Sequence, residues 1–454
     1  MVFPVVGGTQ STGYDIDNSL RFNDDDSASL SRTPSSASNR KTWTWSGWIK
    51  RGNESLNIMF LSAGSSSGQG VYLTSGNQFQ ITKSAVGNYG STALLRDVSA
   101  WYHLVVAVDT TQTGMSNIAK FYINGVQQTA SGTTIYSTNE DTEINNNTAH
   151  YVSRWSKSAQ YYHDGYLAEV NFIDGQALDA SYFGETNDNG VWIPKQYTGS
   201  YGTNGFFHEF KQTGTSQNSS GIGADTSGND NHYAVSNLAA TDVTVDTPTN
   251  NFCTLNPLHK STSDVVLSEG NLKMVSGYAS GWQHAAGTMA VKNGKWYWEA
   301  KALSVAATDK TSIGVLQFDT TDVDFVNVTN TDRSSKGISG HGAGTGSYTY
   351  AQGDIIMCGM DLDNNKVYWG KNGTWFGNLD PAAGSGSTTQ TIDNSNFCVP
   401  AVGGYGGSSW EMNFGVPQFS ISSGNEDDAG YGNFEYDVPS GFYALCTKNL
   451  AEYG

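Results

Sequence analysis

Two segments of this sequence combine aromatic rings and hydrogen-bonding groups in the mixture that sugar-binding loops use. They are Tyr161-Tyr162-His163-Asp164 and the stretch from Tyr197 to Tyr201. Sugar faces stack on aromatic rings, while polar side chains supply the directional hydrogen bonds. The 12 tryptophans are better explained as core residues, because they alternate along strand-like segments. The candidate ligand-binding residues are therefore Tyr161, Tyr162, His163, Asp164, Tyr197 and Tyr201.

The sequence contains no complete motif for covalent or metal-assisted catalysis among those considered. Gly64-Ser65-Ser66-Ser67-Gly68 has the G-x-S-x-G pattern, but a nucleophile elbow needs a strand before the serine and a helix after it. Here the serines lie in a Ser/Gly loop. The eight histidines form no H-E-x-x-H zinc motif. The sequence predicts no catalytic residues and no enzyme of these classes.

Two further features favour structure over metal chemistry. Asp361-Leu362-Asp363-Asn364-Asn365 begins like an EF-hand loop, but Lys366 replaces the invariant glycine and Asn372 the bidentate glutamate, so a turn between two strands is predicted. The four cysteines form no C-x-x-C pair, which argues against a zinc site or a redox dithiol. Buried free thiols are expected, and a disulfide stays open because geometry decides it. The cysteines are Cys253, Cys358, Cys398 and Cys446.

The elements that must position these residues are β-strands. Trp296 and Trp298 alternate with Tyr297, Glu299 and Lys301, which predicts a half-buried strand. Such segments recur with turn signals about every 8–12 residues, the pattern of a sandwich. The predicted strands include Ser19–Phe22, Gln78–Lys83, residues 101–108, Ala119–Ile123 and Met289–Val291. The predicted fold is all-β, with two antiparallel β-sandwiches of the jelly-roll type in tandem and a docked irregular connector. The predicted divisions are residues 1–15 (an arm), 16–185, 186–250 (the connector) and 251–454.

Composition narrows the classes of partner. The formal net charge is −18, which repels phosphates and argues against nucleic-acid binding. Aromatic residues make up 12% of the chain and charged residues 15%, values that favour a folded β protein over disorder. We identify no signal peptide and no stretch long enough to span a membrane, so synthesis in a cytoplasm and no membrane insertion are expected.

The N-terminal arm is a candidate attachment device. Phe3, Pro4, Val5 and Val6 form a short apolar run before Gly7-Gly8. Burying the two valines and the phenylalanine in another subunit would stabilise the contact by about 1.5–3 kcal/mol per side chain. Pro4 suits an extended arm, and the two glycines would allow a bend. The alternative is a disordered tail.

Residues 16–185 resemble the concanavalin A-like lectin/glucanase superfamily in its laminin-G-like form. The resemblance is carried by Trp43-Thr44-Trp45-Ser46-Gly47-Trp48-Ile49 and by residues 17–22, 101–105, 121–125 and 166–175. Residues from about 250 to 445 resemble a SPRY domain, another concanavalin-like sandwich. That resemblance is carried by residues 294–299, 313–315, 353–356, 361–363, 371–373 and 413–415. The implied fold is a tandem of two such sandwiches.

The first resemblance implies where chemistry would lie. Glucanases of this superfamily carry E-x-D-x-x-E on one strand, and the matching segment here has Glu169, Asn171 and Asp174. An amide cannot ionise, and sugar hydrolysis needs two carboxylates about 5–10 Å apart, so a depolymerase is the least favoured function. Laminin-G-like domains bind calcium through rim carboxylates. Asp24-Asp25-Asp26 and Glu140-Asp141-Thr142-Glu143 are the candidates, with an open solvated loop as the alternative. No other cofactor is predicted.

The tandem order resembles structural proteins of marine tailed bacteriophages. So do Phe3-Pro4-Val5-Val6-Gly7-Gly8, Asp225-Thr226-Ser227-Gly228-Asn229 and Pro248-Thr249-Asn250-Asn251-Phe252. The implied function is a non-enzymatic virion surface protein, a tail-fibre-like or appendage adhesin that binds host-surface carbohydrate or protein. The alternative is a capsid decoration or head-fibre protein that binds other virion subunits. A homo-oligomer, with a trimer as one arrangement, is expected in either case.

Overall fold

The computed structural model describes residues 13–52, 56–277, 283–305, 311–317, 335–339, 350–386, 392, 395–404 and 406–454. Phe3, Pro4, Val5 and Val6 lie outside these ranges. The chain is 42% strand and 5% helix, so the predicted all-β fold with antiparallel sheets is confirmed. It divides into an N-terminal unit that ends at Thr249 and a C-terminal unit that begins at Asn250. Among the described residues we find no helix with the length and apolar character that crossing a membrane requires.

The N-terminal unit consists mainly of strands. They are β1 (Ser19–Phe22), β2 (Ser29–Arg32), β3 (Thr42–Arg51), β4 (Ile58–Ala63), β5 (Gln69–Leu73), β6 (Gln78–Lys83), β7 (Gly87–Leu94), β8 (Trp101–Asp109), β9 (Ala119–Ile123), β10 (Val126–Gln127), β11 (Ala130–Gly132), β12 (His150–Val152), β13 (Gly165–Asp174), β14 (Gly184–Thr186), β15 (Trp192–Pro194), β16 (Phe206–His208), β17 (Ala234–Ser236) and β18 (Val243–Thr244). Helix α1 (Met115–Ile118) precedes β9, and 3₁₀ turns lie at Ala180–Tyr182 and Ala240–Asp242.

Two antiparallel sheets form the sandwich of this unit. Sheet I has the order β10-β9-β8-β3-β13-β1-β18, with β16 also paired to β13. Sheet II has the order β11-β7-β6-β5-β4-β12-β2-β17. The alternation of β3 sends Trp43, Trp45 and Ile49 into the core between the sheets, where Trp45 stacks on Phe60 at 5.3 Å. The intervening residues of β3, including Trp48, face outward.

Two segments cover the outer face of sheet I, one after β13 and one before β1. Leu178, Phe183 and Tyr197 pack against Val105 and Ile173 of the sheet. The segment that holds Tyr14 and Ile16 packs beside Trp48 on the same face. The predicted connector, residues 186–250, supplies β15–β18 to the N-terminal unit, which ends at Thr249. β13 is consequently buried on both faces along its whole length.

The C-terminal unit is a second set of antiparallel strands. They are β19 (Leu255–Lys260), β20 (Val265–Ser268), β21 (Lys273–Ser276), β22 (Gln283–Gly287), β23 (Lys295–Ser304), β24 (Thr311–Gln317), β25 (Ser335–Ser339), β26 (Ile355–Asp361), β27 (Lys366–Lys371), β28 (Thr374–Trp375), β29 (Cys398–Gly404), β30 (Ser409–Asn413) and β31 (Tyr443–Ala444). A 3₁₀ turn lies at Phe376–Asn378 and helix α2 (Thr447–Tyr453) ends the chain. The sheets run β19-β22-β29-β24-β25 and β20-β21-β30-β23-β26-β27-β28.

The prediction that β23 is half-buried is wrong. Tyr297 and Glu299, the supposed outer face, are as fully buried as Trp296 and Trp298. The Glu299 carboxylate accepts hydrogen bonds from the backbone N–H groups of Glu435 and Tyr436 at 3.0 and 2.8 Å, because the chain before β31 covers this face. Burial raises the pKa of Glu299 to about 7, although these hydrogen bonds act to lower it. The four cysteines are buried free thiols, so the disulfide alternative is not realised.

Candidate functional site

The first predicted ligand-binding segment is largely internal. His163 is fully buried between the sheets, with its ring 5.6 Å from that of Phe22 and 5.8 Å from that of Phe60. Burial lowers the pKa of His163 to about 3. Asp164 is 1% exposed. His163 and Asp164 therefore lie beneath the surface of the loop, and their role as ligand contacts stays a prediction.

Tyr161 and Tyr162 remain at the surface of the same loop. Tyr161 is 38% exposed and has a φ of 62°, which is unusual for a residue with a large side chain. Its carbonyl accepts a hydrogen bond from the Met59 N–H at 3.0 Å, so the loop is fixed to β4. The ligand role of this pair stays a prediction.

The second predicted segment lies on the outer face of sheet I. Tyr197 is buried, stacked on Phe183 at 5.2 Å, and its hydroxyl donates to the Ser200 carbonyl. Tyr201 is half-buried and meets the Tyr197 ring edge-on at 5.0 Å. The Tyr201 hydroxyl donates to Asn171 Oδ1 at 2.7 Å. The structure therefore joins Tyr201 to the strand of Glu169 and separates it from the Tyr161 loop.

A gap between two strands of sheet I leaves part of β13 without a partner strand on that edge. The ladder of β1 with β13 ends at the pair Leu20–Leu167, and that of β16 begins at Val170–His208. Glu169 lies between the two ladders. It also lies in the β-bulge that shifts the register between β13 and β3, and its φ is 49°. A bulge re-aims a side chain, and strained backbone of this kind clusters at functional sites.

The Glu169 carboxyl occupies this gap with one oxygen engaged and one available. Its side chain is only 7% exposed, and its Oε1 accepts a hydrogen bond from the Tyr14 hydroxyl at 2.8 Å. Within the described ranges, Oε2 has no hydrogen-bond partner. Burial raises the pKa of Glu169 to about 8, and the charges of Glu209 and Asp17 raise it further, against the lowering effect of Tyr14. Glu169 is therefore mainly a neutral carboxylic acid at pH 7.

Glu209 and Lys211 complete the gap from the other side. Glu209 follows His208, the last residue of β16, and its charge and that of Lys211 both act on the Glu169 carboxyl. Glu209 Oε2 lies 2.7 Å from Lys211 Nζ, whose side chain is 49% exposed. Burial and the neighbouring Glu169 raise the pKa of Tyr14 and of Tyr201, so both hydroxyls stay protonated. The site we consider further, the Glu169 site, consists of Tyr14, Asp17, Glu169, Asn171, Tyr201, Glu209 and Lys211.

A serine–histidine pair nearby is not a nucleophile. Ser46 Oγ lies 2.9 Å from His103 Nε2, and the His103 ring is held between Trp48 and Trp192. The Trp192 indole N–H donates to His103 Nδ1 at 3.1 Å, so Nδ1 carries no proton and Nε2 must carry one. Nε2 is then a donor to Ser46 and cannot remove its proton. Burial lowers the pKa of His103 to about 3, which keeps the ring neutral.

Several acids of the segments considered for metal binding have partners within the protein. Across the described part of the chain, no three His, Cys, Asp or Glu side chains converge as metal ligands. Asp26 accepts from the Asn23 amide, and Glu140 pairs with Lys83. The Asp361 carboxylate accepts from the Asn364 N–H at 3.0 Å, as in the predicted turn.

A separate cavity of about 360 Å³ lies at the β8–β9 end of sheet I. Asp109, Gln112, Lys120, Tyr122 and Asp179 line it together with smaller residues. Asp109 accepts from Thr111 and Gln112, and Asp179 Oδ1 accepts from the N–H and hydroxyl of Ser181 at the start of a 3₁₀ turn. Its acids are thus used to hold turns, in contrast to Glu169.

The sequence analysis names Tyr201 as a candidate ligand contact and Glu169 and Asn171 only as an incomplete glucanase segment, and it does not name the rest of the Glu169 site. Tyr14 falls in the predicted N-terminal arm, and Glu209 and Lys211 in the predicted connector. Tyr14 is 155 residues from Glu169 in the sequence. Glu209 comes near Glu169 only because β16 pairs with β13. The one local signal was the alternation Phe206–Lys211, which identifies an outward-facing Glu209 once a strand is assumed.

Comparison with known families identifies the fold of the first unit. Residues 22–182 match a laminin-G-like family of the concanavalin A-like lectin/glucanases superfamily. These residues therefore form a concanavalin A-like domain, and the N-terminal unit has a lectin-like fold. No curated protein matches the sequence.

Solved structures similar to parts of the chain include SPRY-type domains and a pentraxin. The SPRY domain of human HERC1 is 20% identical, over 35% of this chain and 96% of that one, with a TM-score of 0.27. The heptameric SAP-like pentraxin of Limulus polyphemus is 14% identical, over 37% and 80%, with a TM-score of 0.28. The NEUZ domain of Neuralized from Drosophila melanogaster is 10% identical, over 36% and 91%, with a TM-score of 0.27.

Proposed function

We propose that the protein is a non-enzymatic adhesin whose N-terminal unit binds a carbohydrate or protein on a host surface through the Glu169 site. The observation that carries this proposal is the Glu169 carboxyl in a gap of sheet I, with Tyr14 and Tyr201 beside it. The lectin-like fold of residues 22–182 supports a binding role. A virion surface location, with other virion proteins as partners, rests on the resemblance of the tandem order to tailed-phage structural proteins.

The site has the groups that recognition of a hydroxyl-rich ligand needs. A neutral carboxylic acid can donate from one oxygen and accept at the other, and Glu169 keeps Oε2 available. Tyr14 and Tyr201 add half-buried rings with polar ends, which suit a surface that is apolar and wet at once. Asn171 holds the Tyr201 hydroxyl, so the amide at this position has a positioning role.

The same contacts favour binding over hydrolysis. A glycosidase needs one acid and one ionised carboxylate aligned across the scissile bond. Asn171 is neutral and engaged with Tyr201, and Glu209 is paired with Lys211 at 2.7 Å. We therefore expect the ligand to be held and released unchanged.

Binding of the full chain to host cells and to a glycan array tests the proposal. Tyr14→Phe and Tyr201→Phe each remove one hydroxyl that contacts the site, and should weaken binding about 2- to 10-fold, the range for one net hydrogen bond. Tyr182→Phe is the matched control, because Tyr182 is 49% exposed and outside the site.

The Tyr161 loop provides the competing arm of this experiment. If Tyr161→Ala with Tyr162→Ala abolishes binding while both site variants bind like the wild type, the ligand contacts sheet II and the Glu169 site is refuted. Binding to virion subunits alone, with no binding to host cells or glycans, would replace the adhesin by the decoration or head-fibre protein.

A further inference from the structure

We propose that the Glu169 site accepts a cationic amine, an ammonium group carried by an amino sugar or by a lysine side chain, seated against Glu169 and Glu209 beside the rings of Tyr14 and Tyr201. This inference rests on the proposed binding function and names the ligand group that the same site selects. It follows from three features of the site: two neighbouring acidic side chains, the lack of an ion pair at the Glu169 carboxyl within the described residues, and adjacent aromatic rings.

The paired acids follow from the position of β16 beside β13. Glu209 follows His208, the partner of Val170, and its charge raises the pKa of the Glu169 carboxyl. Two ionised carboxylates here would repel each other, and the free site avoids this by keeping a proton on Glu169. A cation beside Glu169 Oε2 allows both carboxylates to be ionised.

The protein forms no ion pair at Glu169. Among the described residues, no lysine, arginine or histidine makes an ion pair with its carboxyl, although the charge of Lys211 lowers its pKa, and the Tyr14 hydroxyl is the one hydrogen-bond donor to that carboxyl. The charged and titratable groups that face it are Tyr14 and Asp17 ahead of β1, Glu209 and Lys211 after β16, and Tyr201. With Glu169 ionised, the site carries three negative charges, those of Asp17, Glu169 and Glu209, and one positive charge, that of Lys211. Lys211 is paired with Glu209, and its side chain is about half exposed to solvent.

The aromatic rings favour an ammonium over a metal ion. Tyr14 donates to Glu169, and Tyr201 is close enough to Glu169 and Tyr14 for their charges to affect it. Organic cations are attracted to the faces of such rings, whereas a hard metal ion needs several oxygen ligands. No such ligand group converges within the described ranges.

Ammonium binding would exchange a proton for the ligand. The free site holds Glu169 as a carboxylic acid, because its pKa is about 8. A bound ammonium favours the carboxylate, so the acid proton leaves to the buffer as the cation arrives, and the charge of the buried pocket changes little. A neutral sugar leaves the proton in place. Proton release therefore separates the two ligand types.

Isothermal titration calorimetry of the full chain at pH 7, in two buffers of different ionisation enthalpy, counts these protons. The probes are methyl glucosaminide, its N-acetyl derivative and Nα-acetyl-lysine amide. For Nα-acetyl-lysine amide we expect about 0.9 proton released per bound ligand, the protonated fraction of Glu169 for a pKa about one unit above the pH, and for the glucosaminide a smaller release, because part of its amine is neutral at pH 7 and takes up a proton on binding. We expect none for the N-acetyl sugar, and about tenfold or more tighter binding of the amine. The two amine probes distinguish a sugar source from a protein source.

Glu169→Gln should abolish both the proton release and the preference for the amine, and Glu209→Gln should reduce the preference while keeping the release. Glu209→Gln also keeps the inference testable if Glu169→Gln does not fold. Glu185→Gln, an exposed glutamate on β14, is the matched control and should behave like the wild type. Equal binding of the glucosaminide and its N-acetyl form without proton release overturns the inference and leaves the proposed function standing. No binding of any probe overturns the inference, and the host-cell assay then decides the proposed function separately.

Discussion

Glu169 should lower the stability of the N-terminal unit as the pH rises, whereas the buried histidines His103 and His163, with their lowered pKa values, act in the opposite direction up to about pH 6.5. The pKa of Glu169 is about 8 in the folded chain, against an ordinary value of 4.5. Between these values the folded state holds a proton that the unfolded state has released, so the contribution of Glu169 to the free energy of unfolding falls with increasing pH. The loss begins near pH 4.5 and is complete above about pH 8. At about 1.36 kcal/mol per pH unit, it amounts to about 3–5 kcal/mol.

Glu169→Gln removes this titration and keeps an acceptor for the Tyr14 hydroxyl. The variant should match the wild type within about 1 kcal/mol at pH 5, since both then carry a neutral group, and should be about 3–5 kcal/mol more stable at pH 9. The raised pKa values of Tyr14 and Tyr201 keep both phenols protonated over this range, so they do not obscure the effect.

Urea unfolding of the full chain at pH 5, 7 and 9, followed by hydrogen exchange of peptides from each unit, measures the effect. Exchange is needed because Glu299, with a pKa of about 7, should give the C-terminal unit a weaker dependence of the same sign. If peptides of β13 and β3 lose the same stability between pH 5 and 9 in the wild type and in Glu169→Gln, the reasoning about the buried carboxyl is refuted.

Three other predictions test the structure and the function. Lys50→Met should destabilise the N-terminal unit by about 3–5 kcal/mol in thermal melts, because it leaves Asp246, 2.7 Å from Lys50 Nζ and fully buried, without its cation; an unchanged melting temperature would contradict this. The full chain should release no reducing ends from laminarin, agar or host exopolysaccharide, and release that disappears in Glu169→Gln would show an enzyme. Deletion of residues 2–8 should leave both units folded but prevent incorporation into particles, so particles with the truncated protein at full copy number would refute the arm.

The alternation of apolar residues and the turn signals predicted the bounds of several strands well. Ser19–Phe22, Gln78–Lys83 and Ala119–Ile123 have the predicted bounds, and Trp101–Asp109 extends its prediction by one residue. Each carries its own alternation or turn signal, so no distant information was needed. Strand Met289–Val291 was predicted in the same way, but Val291 makes only an isolated bridge to Cys398.

The features that the sequence patterns did not predict depend on contacts with residues far away in the sequence. The outer face of β23 looked exposed because its cover, near Glu435, lies more than 130 residues later. His163 looked available because it follows two tyrosines in a polar loop, yet the core between Phe22 and Phe60 accepts a neutral imidazole. Tyr14 and Glu209 reach Glu169 only through strand order, which periodicity does not encode.

The placement of β16 to β18 has a practical consequence for dissecting the protein. A fragment cut at residue 185, close to the end of the family match, would leave Val170 to Phe172 without β16, the partner strand on one of their two edges. It would also bare Val105 and Ile173 to water where Tyr197 now lies. Unpaired edges and apolar patches are sites of aggregation. Expression trials and exchange of binding modules between proteins should therefore treat residues 13–249 as the smallest separable piece.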